Sequence, residues 1–444
     1  MAHPGSFFSA GGGWTRRCRA WTSRASFLSC WKARYKRNVD PKMSGVLSSP
    51  MKASLRGREA RPFAVMEVVH RVAGYQKQGR HVLPLHVGQP DAQAPGLAAK
   101  AAEMALEDAC NGKGGLGYTM ECGIPSLRQR IARYYNEEWQ EEVDPDHVMI
   151  TTGASGAILL SSLAAFDAGD QVAIGVPGYP CYQNVLEGLG VHAVNLRLEA
   201  ESNYQPNVEL LEQKFRQTPF RGLVLTSPSN PCGTVIRKQE LQKVQEWCRR
   251  NEVWLISDEI YHSITYGEAQ CATACNMGDN VIVINSFSKY YCMTGWRLGW
   301  MVLPPSLVEP VKRLAQSLYI SAPTLSQYAA LAAFDCKEEL DEHVRRYAQN
   351  REILLEELPK AGFKNLSSAE GAFYIYADVS GLSSDSVDLA NRILEHTEVA
   401  VTPGVDFDHE EGRNFIRISF ASSTETVREA CRRLVTNRSW KQGY

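Results

Sequence analysis

Residues 280–299 read NVIVINSFSKYYCMTGWRLG, and this stretch indicates the fold most directly. Its first part is a run of β-branched residues that ends in polar Asn285 and Ser286, which is typical of a strand buried on both faces. Asn280–Ser286 is therefore predicted to be a strand of a parallel sheet. Lys289 follows just after its carboxyl end, which is where open parallel sheets bind their ligands.

Similar runs alternate with longer segments rich in Ala, Leu, Glu and Arg from about Arg58 onward. This alternation predicts βαβ units, and hence an α/β fold with a mostly parallel sheet covered by helices on both faces. The predicted strands are His147–Thr151, Gln171–Gly175, Gly222–Thr226, Val253–Ser257 and Asn280–Ser286. The predicted helices are Ile124–Trp139, Ser155–Phe166, Gln239–Arg250 and Ser306–Leu318.

After Ser321 the pattern changes to long helices followed by short strands, which predicts a smaller α+β domain at the C-terminal end. Its predicted elements are helices Ser326–Ala333, Lys337–Leu358 and Ser423–Val435, with strands Ala372–Ala377, Glu398–Val401 and Phe415–Phe420. The predicted organisation is an extension at 1–50, an N-terminal segment at 51–90 that packs on the small domain, a large cofactor-binding domain at 91–320 and the small domain at 321–444.

The N-terminal extension is strongly basic. Residues 1–39 contain eight Arg or Lys and no Asp or Glu. This composition is typical of an organellar transit peptide for a mitochondrion or plastid. The alternative is a later start at Met43, Met51 or Met66, which would give a shorter, cytoplasmic protein.

Composition excludes several classes of protein. The 444 residues are 44% hydrophobic and 22% charged, which is typical of a globular chain and excludes intrinsic disorder as the main state. A formal net charge of −1 gives no reason to expect a nucleic-acid partner. The longest apolar run, Ala157–Phe166, is about half the length that crosses a bilayer, so no membrane partner is expected. Twelve cysteines without a Cys-x-x-Cys pair indicate reduced thiols and no metal site.

The polar residues that follow the predicted strands suggest one cofactor. Pyridoxal phosphate needs a lysine amine for a Schiff base, an acid beside its pyridine nitrogen and an anion site for its phosphate. Lys289 is the candidate amine, and Asp258, directly after Val253–Ser257, is the candidate acid. Helix N-termini and guanidinium groups bind phosphates. The predicted phosphate ligands are accordingly Gly153, Ala154, Ser155, Ser286 and Arg297.

Three further residues complete this hypothesis. Asn230 and Tyr261 are placed to hydrogen-bond the phenolic oxygen of the cofactor, and Tyr179 to stack on its ring. Each residue alone has a plainer explanation, since a lysine after a strand is usually a surface charge and an Asp or Ser there is usually a cap.

Five segments, in order along the chain, resemble one known family. They are SPSNPCGT (227–234), SDEIY (257–261), SFSK (286–289), TGWRLG (294–299) and IRISFA (416–421). In these motifs the region from about Arg58 to Leu434 resembles the class I/II pyridoxal-phosphate-dependent aminotransferases of the aspartate aminotransferase superfamily. The resemblance implies fold type I, whose sheet is of the seven-stranded type. It also implies transfer of an α-amino group from an L-amino acid, either aspartate or another common one, to a 2-oxo acid. The expected 2-oxo acid is 2-oxoglutarate.

The resemblance also implies residue roles. Lys289 is both anchor and base, with Asp258 and Tyr261 as catalytic partners. Arg417 corresponds to the arginine that binds the substrate α-carboxylate, with Gly88 and Asn230 beside it. Tyr118 corresponds to the tyrosine that reaches the phosphate of a neighbouring subunit, so a homodimer is expected. The loop Gly-Ala-Ser-Gly departs from the family pattern, which leaves its phosphate donors open.

Two alternatives remain open at this stage. The first is a lyase or synthase of the same fold, similar to aminocyclopropane-carboxylate synthases or C–S lyases. The second is a non-catalytic regulator, which is disfavoured because every expected catalytic position is filled. The spacing Gly112–Gly117 matches a dinucleotide loop but lacks a preceding strand, and the acidic run Asp408–Glu411 is interpreted as a solvated loop.

Overall fold

The computed structural model describes residues 52–59 and 61–441. Residues 52–59 belong to a separate unit, in which α1 spans Leu55–Glu59. The predicted transit peptide lies outside the described residues. Among those described, no helix combines the length and the apolar character that a bilayer crossing needs.

A seven-stranded sheet forms the centre of residues 61–441. Numbered after a short earlier strand β1 at Leu83–Pro84, its strands are β2 Val148–Thr151, β3 Gln171–Val176, β4 His192–Arg197, β5 Gly222–Thr226, β6 Trp254–Asp258, β7 Val281–Ser286 and β8 Gly299–Val302. Their order in the sheet is β2-β8-β7-β6-β5-β3-β4, and every neighbouring pair is parallel except the two pairs that β8 makes. This confirms the predicted α/β fold, although sequence analysis assigned neither β4 nor the antiparallel β8.

The central strands are buried on both faces, as their continuous apolar runs predict. All six residues of β7 are buried, and so are four of the five in β6. Because β6 is shifted by one residue from the predicted range, Asp258 is its last residue and pairs with Thr226 of β5. The backbone of Asp258 is thus held by the sheet itself.

Helices cover this sheet and continue toward the C-terminus. The helices are α2 Ala64–Lys77, α3 Gly96–Cys110, α4 Pro125–Trp139, α5 Gly153–Ala165, α6 Cys181–Leu189, α7 Val208–Gln217, α8 Lys238–Arg250, α9 Pro305–Leu318, α10 Thr324–Ala333, α11 Lys337–Ala361, α12 Ser386–Thr397 and α13 Thr424–Thr436. The helices predicted from sequence are confirmed with shifts of at most three residues at either end, whereas α1, α2, α3, α6, α7 and α12 were not assigned.

Two small sheets bring early and late segments of residues 61–441 together. Strands β9 Tyr374–Asp378, β11 Thr402–Pro403 and β12 Phe415–Ser419 form an antiparallel sheet in the order β11-β12-β9. Strand β1 Leu83–Pro84 pairs in parallel with β10 Val399–Ala400. The backbone of Leu85 also accepts a hydrogen bond from the N–H of Ser419, so residues just after β1 lie beside β12. The proposed boundaries at 90 and 320 stay a prediction.

Gly233 is a position where the backbone itself demands glycine. It has φ +66°, and an added Cβ would lie 2.7 Å from the carbonyl oxygen of Tyr374 and 2.8 Å from that of Gly371. Backbone oxygens cannot rotate away, so Gly233→Ala is expected to lower the free energy of unfolding by roughly 1–3 kcal/mol. Denaturant titration followed by circular dichroism measures the effect.

Gly188→Ala in α6 is the matched control. No atom lies within 4 Å of a Cβ added there, and alanine is a better helix former by about 0.5–1 kcal/mol. This variant is expected to be as stable as the unsubstituted chain or more so. Equal unfolding midpoints for the two variants would contradict the strain argument.

Candidate active site

A cavity of about 530 Å³ lies at the carboxyl ends of the parallel strands. Strand ends, loops and β12 all contribute side chains to it, so residues far apart in the sequence meet there. Most residues predicted from sequence line this one cavity: Gly88, Ala154, Ser155, Tyr179, Asn230, Asp258, Tyr261, Lys289, Arg297 and Arg417.

Three predicted residues do not line it. Gly153 lies immediately behind Arg297, since a Cβ on it would be 2.7 Å from Arg297 Nη2. Ser286 is buried, and its hydroxyl contacts the Leu298 carbonyl and Ser288 Oγ, so Ser288 lines the cavity in its place. Tyr118 is 82% exposed on the surface. The direct roles of Ser286 and Tyr118 stay predictions.

Lys289 follows β7 and directs its amine into the cavity. Nζ donates a hydrogen bond to the carbonyl oxygen of Gly88 at 2.6 Å and lies 5.7 Å from the ring centroid of Tyr261. Burial, together with the positive charges of Arg417 and Arg297, lowers the pKa of Lys289 to about 8, although the carboxylate of Asp258 opposes this. A larger fraction of the amine is therefore neutral near pH 7 than for an exposed lysine, as a nucleophile or base requires.

Asp258 is 2% exposed and fixed through both carboxylate oxygens. Oδ2 accepts from the Tyr182 hydroxyl at 2.7 Å, and Oδ1 accepts from the Ile260 N–H at 3.1 Å. Burial raises the pKa of Asp258 to about 6, while these hydrogen bonds and Lys289 act in the opposite direction. The result is a buried, oriented carboxylate suited to a cationic group inside the cavity.

Arg417, in β12, is a buried cation that forms no ion pair with a carboxylate among the described residues. It donates to Asn230 Oδ1 at 2.9 Å and to the His86 carbonyl at 2.8 Å. Its guanidinium carbon lies 4.4 Å from the ring centroid of Tyr374 and 4.6 Å from that of Phe407. Its buried Nε has no hydrogen-bond partner in the described part of the chain. A held but uncompensated guanidinium is a site for an anion such as a carboxylate.

Tyr374 explains why residue 88 is glycine. Its hydroxyl is 2.8 Å from that of Tyr261, and a Cβ on Gly88 would lie 2.2 Å from the same oxygen. The backbone at Gly88 therefore approaches this pair of tyrosines more closely than any side chain would allow, and its carbonyl can meet Lys289 only because of that approach.

A second anion site lies at the start of α5. The helix has no side-chain cap, so N–H groups of its first turn, near Ala154 and Ser155, are available to a ligand. Arg297 extends beside this turn, with Nη1 bonded to the Thr294 carbonyl at 2.9 Å. Gly153 has φ +75°, so glycine there both allows the left-handed turn and leaves room for the guanidinium.

Sequence reasoning missed several contributors to the cavity. Tyr182 and Thr226 bind each other at 2.8 Å, and Tyr182 holds Asp258, yet neither stands in a recognisable motif. An apolar wall, and Asp406 beside it, were also missed because they come from the N-terminal segment and a late loop. The wall residues are Phe63, Val65, Met66, Val69, Val87 and Phe407. In 52–59 and 61–441 no cluster of three potential ligand side chains could hold a metal ion.

Known proteins are similar to this chain in both sequence and structure. Residues 80–434 match the family model for aminotransferases of class I and II. A valine–pyruvate aminotransferase from Mycobacterium tuberculosis is 44% identical over 376 residues, which cover 84% of this chain and 95% of the relative.

Solved structures of aminotransferases also match this chain. The crystal structure of an aminotransferase from Mycobacterium tuberculosis matches with a TM-score of 0.83 and 42% identity, covering 87% of this chain and 99% of that one. An aspartate aminotransferase from Thermus thermophilus, solved with maleate, matches with a TM-score of 0.80 and 29% identity over 87% and 99% of the two chains. The chain therefore belongs to the class I and II aminotransferases, the pyridoxal-phosphate-dependent transaminases of fold type I.

Proposed function

We propose that this enzyme binds pyridoxal phosphate and transfers the amino group of an aliphatic L-amino acid to a short 2-oxo acid with one carboxylate. The cavity fits the cofactor at both ends. The uncapped start of α5 and Arg297 suit its phosphate, and the buried carboxylate of Asp258 suits a protonated ring nitrogen. Asn230 and Tyr261 would bind its phenolic oxygen, and Tyr179 would pack against its ring.

The chain's own residues then have separate tasks. The bound cofactor supplies an electron-withdrawing ring that makes the substrate α-proton acidic. Lys289, with its pKa lowered to about 8, holds the cofactor and moves that proton as a neutral amine. Arg417 binds the α-carboxylate with its guanidinium fixed between Tyr374 and Phe407, which orients the α-carbon toward Lys289.

The charges of the cavity support an apolar substrate side chain. Among the described residues that line it, the cations are Lys289, Arg297 and Arg417, and each has a task in the transfer. Within one chain, none of the described cations that line the cavity remains for a second carboxylate on the substrate. Asp406 adds a carboxylate to the same wall, which repels an acidic side chain. This count of cations against tasks is the observation on which the substrate proposal rests.

The acceptor uses the same cavity, so the same count applies to it. The count of cations favours a 2-oxo acid with one carboxylate, such as pyruvate, over the 2-oxoglutarate expected from sequence. The 44% identical relative named valine–pyruvate aminotransferase supports this choice. The proposal thus moves away from aspartate and 2-oxoglutarate, the substrates that the sequence resemblance suggested.

We also propose a homodimer in which Tyr118 serves the partner's site. Tyr118 is 82% exposed, and apolar side chains on nearby segments are exposed as well. An apolar surface of this kind is typical of a subunit interface. The exposed apolar residues are Leu97, Met104, Leu106, Leu116, Met120, Leu318, Ile320 and Tyr328.

The first prediction for this site concerns Lys289. Condensation of the cofactor-free enzyme with pyridoxal phosphate needs the neutral amine, so its rate should rise with pH through about 8, the lowered pKa of Lys289. Asp258→Asn should move this midpoint to lower pH, because the carboxylate that raises the pKa of Lys289 is removed. Stopped-flow absorbance measures both. After treatment with borohydride, the Lys289→Ala protein should carry no covalently bound cofactor. If it does carry the cofactor, Lys289 is not the lysine that forms the Schiff base.

The second prediction concerns substrates. With pyruvate as acceptor, L-valine is expected to exceed L-aspartate in kcat/KM by at least about 100-fold, since burying an unpaired charge costs several kcal/mol. Coupled assays of the twenty amino acids against pyruvate and 2-oxoglutarate measure it. Preference for aspartate would overturn the aliphatic proposal, and release of ammonia with pyruvate from an amino acid would instead favour the lyase alternative.

The third prediction concerns the shared site. Tyr118→Ala and Lys289→Ala chains are each expected to have low activity, and co-refolding them should restore about a quarter of the activity, because one site of the hybrid dimer is intact. Light scattering reports the oligomeric state as a control. If the mixture stays as inactive as the single variants while forming dimers, Tyr118 does not act across subunits.

A further inference from the structure

Helix α2 begins without a cap of its own. Phe63 at its N-cap position makes no side-chain hydrogen bond, which leaves the first N–H groups unsatisfied locally. The N–H of Ala64 instead donates to Asp406 Oδ1 at 2.6 Å, from a residue 342 positions later in the chain. A carboxylate at this place also interacts favourably with the positive end of the helix dipole.

The start of α2 is part of the cavity wall. Val65, Met66 and Val69 line the cavity together with Lys289. Phe63 stacks on Tyr179, the residue assigned to the cofactor ring, with centroids 6.4 Å apart and an interplanar angle of 15°. A shift of the first turn of α2 would therefore alter the surface that meets a substrate side chain.

The loop that carries Asp406 is itself anchored to the large sheet. Arg197, the last residue of β4, pairs with Asp408 and, at 2.9 Å, with Glu410. The Gly178 N–H donates to the Phe407 carbonyl at 3.0 Å. Asp406 is 6% exposed. Its carboxylate is thus a fixed point against which α2 is held.

We propose that Asp406 is a positioning residue, which holds the first turn of α2 against the cavity and thereby sets the preference for aliphatic side chains larger than a methyl group. This inference rests on the proposed function. The methyl group of L-alanine is too short to depend on the wall as much as the side chain of L-valine does. Loss of the bond should therefore affect L-valine more than L-alanine.

Two variants remove the bond from opposite sides. Asp406→Ala removes the acceptor. Ala64→Pro removes the donor at the first helical position, where proline is tolerated and where the extended Phe63 can precede it. Each is expected to raise KM for L-valine roughly tenfold, as loss of a hydrogen bond to a charged group does, with kcat little changed. KM for L-alanine should rise less than about threefold.

Two further variants serve as controls. Asp406→Asn keeps an oxygen that can accept from Ala64 and should stay within about threefold of the unsubstituted enzyme in both KM values. Glu410→Ala removes only the exposed one of the two pairs that Arg197 makes with this loop. The buried pair between Arg197 and Asp408 remains and keeps the loop anchored, so neither value should change. The double variant Ala64→Pro/Asp406→Ala should show no more effect than either single change.

Hydrogen exchange of the full chain without substrate gives a readout independent of activity. Backbone amides 64–69 should exchange faster in Asp406→Ala and Ala64→Pro than in Asp406→Asn or Glu410→Ala. Unchanged exchange in the first two, or an equal rise in KM for L-alanine and L-valine, would overturn the proposal. If the unsubstituted enzyme does not turn over L-valine, the proposed substrate is wrong, and the exchange result alone decides whether Asp406 holds α2.

Discussion

Two basic side chains, Lys289 and Arg417, line the same cavity, and most of the site follows from that constraint. Burial disfavours the charged form of an amine, and the neighbouring guanidinium adds to the effect, so the pKa of Lys289 falls to about 8. The guanidinium of Arg417 is buried as well and must be stabilised by its neighbours. Aromatic faces, the side chain of Asn230 and a backbone carbonyl provide this, and none of them cancels its charge. The guanidinium thus remains able to bind a carboxylate and also keeps the lysine reactive.

The sheet makes this arrangement possible because it gathers the ends of its parallel strands at one edge. Asp258 ends β6, Lys289 follows β7, and the start of α5 follows β2. Arg417 arrives from a different sheet, and Gly88 from the segment after β1 that lies beside it. Hydrogen bonds across the cavity, such as Lys289 to Gly88 and Arg417 to Asn230, join the two sets of elements. The site is therefore complete only when the segments that carry Gly88 and Arg417 are packed beside the central sheet.

In the proposed function, reactive groups and selectivity come from different parts of this molecule. The groups proposed to bind the cofactor and move the proton lie at or just after strand ends of the central sheet, where small displacements are resisted by the whole sheet. The apolar wall of the cavity comes from α2, and Asp406 beside it comes from a late loop. The stack of Phe63 on Tyr179 joins the start of α2 to the segment after β3. Changes in this wall would therefore leave the strand ends in place.

The sequence alone determined the fold class, the places of most helices and strands along the chain, and most of the residues that line the candidate site. Period and composition reveal a buried strand, and motifs such as SFSK mark the residue that follows it. The sequence could not reveal β8 as an antiparallel strand, the hydrogen bond between Tyr182 and Asp258, or the capping of α2 by Asp406. Each of these joins segments distant along the chain, and their side chains carry no local signal. Only the tertiary structure decided them, because the burial and neighbours of a side chain depend on how separate segments pack together.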